Sequence, residues 1–323
     1  MEAVGNVFFF PWEETLIIWI QSWLGSAGKF AATVFTFFGE STFIVGIVVF
    51  MYFWISKETG RFAAVSLMAG TTWNPMIKNV ALRLRPYMAS KSIECLKPVE
   101  SGYDIMDVKA QGYSFPSGHS SSSMTAFGAV AVRMKKNWIR ITAAVMVALV
   151  GFSRAALGVH YPTDVLAGWA LGILTIAAVS LMTKYIKNRA VLYLILVLIA
   201  VPGWFYCTSN DFYTGFGLMV GLFAGMLFEE KFIGFGDPKK WYIGLIRVVG
   251  AIAIYFALSS LLKLPFPKEI RDASNLLAYS IRAGRYAIVA FTVGGLYPFL
   301  FKYYDRWFLK EKKAGTEERS DNA

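Results

Sequence analysis

The sequence predicts an all-α fold, a polytopic transmembrane helical bundle. Three observations carry this. The 323-residue chain is 56% hydrophobic and only 16% charged, whereas soluble domains carry about 25% charged residues. Its mean hydropathy is +0.49. Its apolar residues also gather into runs that approach the length of a spanning helix, about 20 residues. These features exclude a soluble globular domain. Two cysteines, Cys95 and Cys207, are too few for a disulfide scaffold, and nothing argues for their pairing. Lys and Arg number 32 against 21 Asp and Glu, a net charge of +11. In so apolar a chain this excess points to a membrane surface, and no nucleic acid is needed to explain it.

Taken in order, residues 1–40 do not read as a span. Glu13, Glu14 and Gln21 lie among aromatics, and Gly25, Gly28 and Lys29 then interrupt the pattern. Two short amphipathic helices at the membrane interface are expected there. The N-terminus carries Glu2 and no basic run, so no secretory signal is read in it. Nine apolar segments follow, near 41–56, 62–82, 117–134, 138–157, 164–183, 190–206, 212–228, 242–262 and 286–303. The connection 87–115 is long and rich in charge; it reads equally as a solvated loop or as a lid over a site. Residues 309–323 read as a disordered charged tail. The organisation expected is an interfacial N-terminal pair (1–40), a catalytic membrane core (41–187), further membrane helices (188–308) and that tail.

The loop 133–140 carries Arg133, Lys135, Lys136 and Arg140, whereas the loop near 207–211 has Asp211 and no Lys or Arg. Cytoplasmic loops are the basic ones. The tail is therefore expected in the cytoplasm, and the side bearing 83–116 and 154–163 outside it.

Three polar clusters break the apolar pattern at that outer side. The first runs from Lys78 to Arg85-Pro86. Seven residues are two helical turns, so Lys78 and Arg85 are expected on one helix face, with Pro86 ending the helix. Positive flanking of a helix is the ordinary explanation. It fits poorly at an outer end, and a cation two turns inside a span marks a functional position. The second cluster is Phe115-Pro116-Ser117-Gly118-His119-Ser120. A helix start offers unpaired amides to an anion, Gly118 allows close approach, Ser117 adds a hydroxyl, and His119 can exchange a proton. The serines at 120–123 suit close helix packing. The third cluster holds Ser153-Arg154 and His160-Tyr161-Pro162-Thr163-Asp164. Asp164 stands where it can accept from the His160 imidazole, raising the nucleophilicity of the other ring nitrogen. Arg154 supplies a fork of donors suited to phosphate.

Together these residues point to phosphoryl chemistry. Lys78, Arg85 and Arg154 can hold phosphoryl oxygens and stabilise charge during transfer. One histidine backed by a carboxylate can act as nucleophile while the other protonates the leaving oxygen. The sequence has no Cys/His ligand set, no calcium-loop spacing and no Gly-rich nucleotide loop, so no metal or cofactor is expected.

The patterns K-x6-R-P (Lys78 to Pro86), P-S-G-H (Pro116 to His119) and S-R-x5-H-x3-D (Ser153 to Asp164) resemble, in order, the three signatures of the type 2 phosphatidic acid phosphatase (PAP2) superfamily. The resemblance covers roughly residues 40–185. It implies a PAP2-type helical core with a metal-independent site; the region after about 190 lies outside that core and adds further membrane helices. It also implies the roles. His160 attacks phosphorus to form a phosphohistidine, supported by Asp164. His119 protonates the departing group and later activates water. Lys78, Arg85, Arg154, Ser117 and the Gly118 amide cradle the phosphate. The N-terminal pair of helices is similar to that of a branch whose core begins at the next span.

The expected activity is hydrolysis of a lipid phosphate monoester or pyrophosphate at the extracytoplasmic face. Candidate substrates are phosphatidic acid, phosphatidylglycerol phosphate, an isoprenyl pyrophosphate or a sphingoid phosphate. Two other readings are a lipid phosphotransferase using the same phosphohistidine, and a phosphate-binding transporter. The expected location is a bacterial plasma membrane.

Overall fold

The computed structural model describes residues 4–303, so the tail expected at 309–323 lies outside the described residues. The described residues form helices and contain no strand; one isolated parallel bridge joins Asn6 to Arg83. The chain divides into two compact units, one of residues 1–48 and 61–216 and one of 49–60 and 217–323. All nine apolar segments are helical. Five helices are long and apolar enough to cross a membrane: Asn137–Ala156, Pro162–Tyr185, Asn210–Phe232, Trp241–Leu261 and Leu276–Tyr303. The other segments fall short for physical reasons. Lys57–Ala81 carries buried Arg61, Thr72, Asn74 and Lys78, and Gly118–Met134 is only 17 residues long and rich in serine.

In the first unit, α1 (Pro11–Phe37) is broken at Gly25, whose φ of 51° and ψ of −175° are not helical. Two helices therefore meet where the glycines interrupt the pattern. α2 (Ser41–Phe50) follows, and the π-turn Met51–Ile55 that continues it belongs to the second unit; the α1 and α2–π segments together have the apolar length of a span, bent by 48°. Next come α3 (Lys57–Ala81) and the connection 82–117, which holds two one-turn helices, α4 (Pro86–Ala89) and α5 (Val108–Gln111). α6 (Gly118–Met134), α7 (Asn137–Ala156) and α8 (Pro162–Tyr185) pack together, and α1 packs on α7. α9 (Arg189–Ala200) precedes the start of α10 (Asn210–Phe232).

Close packing of α6 on α8 rests on the small residues that the serine run announces. Ser120, Ser121 and Ser123 are buried. A Cβ at Gly168 would lie 2.6 Å from the Ser117 carbonyl, and one at Gly172 would lie 2.7 Å from Met124 Cγ. Beneath the polar clusters, Ile17, Ile20 and Ala32 of α1 share an apolar core with Tyr87, Ile93, Leu157, Val159 and Tyr161.

In the second unit, α11 (Trp241–Leu261), the single turn α12 (Lys268–Arg271) and α13 (Leu276–Phe291) follow the C-terminal part of α10. Gly217 and Gly221 of α10 face the backbone of Ala283 and Ala287, where an added Cβ would lie 2.2 and 2.1 Å from the carbonyl oxygens. Such small-residue faces let membrane helices approach closely. A buried pair also belongs to this unit: Lys57 Nζ lies 2.7 Å from Glu229 Oε1 and donates to the Phe235 carbonyl at 2.9 Å.

Candidate active site

The end of α3 departs from the sequence expectation. Lys78 and Arg85 do not share a helix face, because α3 stops at Ala81 and Leu82 takes a left-handed φ of 52°. Residues 83–85 then run extended; Arg85 has ψ of 153° ahead of Pro86, as the clash with a following proline ring favours. The turn sends Arg83 and Arg85 into the protein interior, at 2% and 3% exposure.

Main-chain carbonyls at the end of the long connection hold two of the cations. Lys78 Nζ donates to the Tyr113 carbonyl at 2.5 Å. Arg85 donates through Nε to the Gln111 and Gly112 carbonyls at 3.0 and 2.9 Å and through Nη2 to the Gln111 carbonyl at 2.6 Å. Its Nη1 donates to the Val159 carbonyl at 2.9 Å and lies 3.3 Å from His160 Nε2. The third cation, Arg154 on α7, donates through Nη1 to the Thr36 hydroxyl of α1. Its buried Nε has no partner among the described residues, which leaves a donor for a ligand.

Arg85 fixes the tautomer of His160. A guanidinium only donates, so Nε2 facing it presents its lone pair and a neutral ring carries its proton on Nδ1. Nδ1 lies 3.4 Å from Asp164 Oδ2. This is ion-pair range but not a formed hydrogen bond, since Nδ1 has no hydrogen-bond partner among the described residues. The carboxylate is engaged elsewhere. Oδ2 accepts from the Tyr161 amide at 2.8 Å, capping the start of α8, and Oδ1 accepts from Arg83 Nη1 at 2.7 Å. Catalytic hydrogen bonds are often long until substrate binds. Burial of His160, which is 2% exposed, holds its imidazole well below the ordinary value of 6.5. The charges of Arg85, Lys78 and Arg154, and of protonated His119, push the same way. Both effects favour the neutral ring.

The second cluster lies at the N-terminus of α6. Ser117 is the N-cap, its Oγ accepting from the Ser120 amide at 3.3 Å and the Ser120 hydroxyl at 2.9 Å. Its own hydroxyl hydrogen is left to donate. The Ser117 amide donates to the Asp164 carbonyl at 2.9 Å, tying the second cluster to the third. Gly118 and His119 are half-buried, at the helix start whose first amides have no intrahelical acceptor. The turn after α1 presses on this histidine, for a Cβ at Gly39 would lie 3.1 Å from His119 Cβ and Cδ2.

The structure thus brings Lys78, Arg85, Arg154, His160, His119, Ser117, Gly118 and Asp164 into one region of the first unit. It adds residues that the spacing does not single out. Gln111, 1% exposed, accepts from the Val99 and Glu100 amides and gives order to the connection that positions Lys78 and Arg85. Arg83 reads in the sequence as one more flanking cation, and Glu13 as the polar face of an interfacial helix, yet Glu13 is 0% exposed. Their signal is an acid in the first turn of an aromatic-rich helix and a third cation between Lys78 and Arg85.

Comparison with known proteins agrees with the motifs. The PAP2 superfamily model matches residues 59–188, and the model of the PAP2 superfamily phosphatase transmembrane extension matches residues 213–306, together more than half of the chain. The chain belongs to the PAP2 superfamily and is an integral membrane protein. It is 29% identical over 181 residues to phosphatidylglycerophosphatase B of Bacillus subtilis, covering 52% of this chain and 79% of that one. It is 31% identical over 118 residues to an undecaprenyl-diphosphatase of Sulfolobus acidocaldarius, covering 36% of this chain and 52% of that one. A crystal structure of a transmembrane PAP2-type phosphatidylglycerolphosphate phosphatase from Bacillus subtilis superposes with a TM-score of 0.43 at 26% identity, covering 55% of this chain and 86% of that chain.

Proposed function

We propose that this protein is an integral-membrane lipid phosphate phosphatase that works through a phosphohistidine. The observation that carries the reading is the placement of His160, with Nε2 toward the Arg85 guanidinium and Nδ1 toward the Asp164 carboxylate. In the first step the Nε2 lone pair attacks phosphorus. The phosphorus–oxygen bond to the leaving group breaks, and His119 gives that oxygen a proton. Lys78, Arg85, Arg154, Ser117 and the Gly118 amide hold the phosphoryl oxygens as negative charge develops on them. Asp164 stabilises the positive imidazole ring that forms. In the second step His119 takes a proton from water, the water oxygen bonds phosphorus, and the phosphorus–nitrogen bond breaks to release phosphate and restore Nε2.

The substrate in this reading is a lipid phosphate monoester or pyrophosphate whose head group reaches the extracytoplasmic face. The bias of basic residues toward the opposite loops supports that face, and the named relatives support lipid phosphates as the class. A bacterial plasma membrane is the proposed location, with the N-terminal helices at its outer interface.

The experiment is phosphate release by the purified protein in detergent with EDTA present. Its panel is phosphatidic acid, phosphatidylglycerol phosphate, an isoprenyl pyrophosphate and a sphingoid phosphate. Release from at least one substrate, abolished in a folded His160→Ala variant, is the expected result. Full release by that variant overturns the mechanism, and release that requires an added acceptor alcohol identifies a transferase instead.

A further inference from the structure

The carboxylate that faces His160 is itself held from a distant part of the chain. Arg83, 2% exposed, uses all three nitrogens of its guanidinium. Nε donates to the Phe8 carbonyl at 2.7 Å, Nη1 to Thr163 Oγ1 at 2.8 Å and Asp164 Oδ1 at 2.7 Å, and Nη2 to Glu13 Oε2 at 2.9 Å. Its Cζ lies over the Phe8 and Tyr161 rings, at 4.8 and 4.0 Å from their centroids. Glu13 is equally saturated. Oε2 also accepts from the Phe10 amide at 2.9 Å, and Oε1 accepts from the Thr163 amide and hydroxyl at 3.0 and 2.6 Å.

The strand-like segment before α1 fixes this arrangement. The Asn6 amide donates to the Leu82 carbonyl at 2.7 Å, and the Leu84 amide donates to the Asn6 carbonyl at 2.9 Å. Gly5 makes the approach possible, because a Cβ there would lie 2.8 Å from the Leu82 carbonyl oxygen.

We infer that Arg83 and Glu13 are a positioning pair for the proposed reaction: Glu13 sets the guanidinium of Arg83, and Arg83 holds Asp164 so that Oδ2 faces His160 Nδ1. This rests on the phosphohistidine reading. The N-terminal segment is then a working part of the site. A buried arginine with one acid would satisfy charge; an arginine with two acids, four acceptors and two aromatic faces has one orientation only. That orientation passes to Asp164, whose other oxygen, Oδ2, takes the Tyr161 amide and faces the ring. Neither Arg83 nor Glu13 is assigned a contact with the phosphoryl group, so their loss acts on turnover through the geometry of His160.

The test compares wild type, His160→Ala, Arg83→Gln, Arg83→Lys and Glu13→Gln in detergent on the best substrate of the panel, with each protein's folded fraction measured by size exclusion. Misplacing a reacting group by about 1 Å costs on the order of a hundredfold. Arg83→Gln is accordingly expected to lower kcat per folded enzyme by at least about tenfold at nearly constant KM. Arg83→Lys, which keeps the charge, recovers part of the loss, and the isosteric Glu13→Gln shows a smaller loss of the same kind. Wild-type kcat per folded enzyme in Arg83→Gln, or a loss confined to KM, overturns the inference. If Arg83→Gln does not fold, Glu13→Gln decides: a kcat loss at constant KM supports the pairing, and wild-type kinetics overturn it. An active His160→Ala variant refutes the phosphohistidine reading itself, whereas an inactive one beside fully active Arg83→Gln and Glu13→Gln refutes only the positioning pair.

Discussion

Arg85 Nη1 lies 3.3 Å from His160 Nε2, on the ring edge opposite the one that faces Asp164. The guanidinium therefore stands where a phosphoryl group approaching that nitrogen would meet it, and its other donors are already fixed by backbone carbonyls. Placement of this kind needs no reorganisation when charge develops, which is what makes electrostatic stabilisation effective.

Arg85→Lys keeps the charge and is nevertheless expected to be severely impaired. A lysine has one point of attachment and cannot bond the Gln111, Gly112 and Val159 carbonyls while also facing the ring. Steady-state kinetics should show kcat reduced by about a hundredfold, the cost of losing one oriented donor at a developing charge.

The imidazole of His160 is expected to stay neutral as the pH falls through 6.5, because burial and the neighbouring cations oppose its protonation. The chain has two histidines, so histidine-labelled protein gives two imidazole signals in an NMR titration, assigned with a His119→Asn variant. The His160 signal should hold its neutral position at a pH where a free imidazole is half protonated. The unfolded chain binds this proton first, so acidification through that range also lowers stability. A His160 signal that titrates at its ordinary value contradicts the assignment.

Gly168→Ala is expected to destabilise the protein by about 1–3 kcal/mol, the usual cost of overpacking. The added methyl would lie 2.6 Å from the Ser117 carbonyl and would force α8 off α6. Gly284→Ala is the control, since a Cβ there meets nothing within 4 Å. Thermal unfolding in one detergent should show a lower midpoint for Gly168→Ala alone.

Gln111→Leu removes the acceptor of the Val99 and Glu100 amides. Val99 and Glu100 are exposed, so water can take the place of the lost acceptor and the cost stays below the figure of about 1–3 kcal/mol for a fully buried donor; the loss falls on a connection of turns. Limited proteolysis should reveal new cleavage between residues 96 and 110, with kcat falling as the carbonyls around Arg85 lose their register. An unchanged digestion pattern would show that the connection is held by other means.

Much of the site is legible in the sequence because polar residues are conspicuous in so apolar a chain. Lys78, His119, Arg154 and His160 stand out for that reason, and prolines mark the helix starts at 118 and 162. The turn at Leu82 is not legible, since its left-handed backbone occurs at a leucine without the glycine that ordinarily signals it. Helical periodicity carried through that point wrongly places Arg85 on the face of Lys78. Glu13 escapes notice for a different reason. Periodicity reports which face of a helix is polar, but not whether that face meets water or an arginine. The helices 57–81 and 118–134 show the complementary limit, as their polar residues lower the apolar signal while serving the interior.

The bond between Glu13 and Thr163 spans 150 positions of the chain. During synthesis the acid emerges from the ribosome long before its partners on α8 exist. Until they do, burying that carboxylate beside Arg83 alone would leave acceptors without donors, which is unfavourable. The hydrogen bonds of Glu13 are therefore complete only when the segment bearing His160 and Asp164 has been made. A chain terminated before residue 163 would hold Lys78, Arg85 and His119 but lack the donors that saturate Glu13 Oε1.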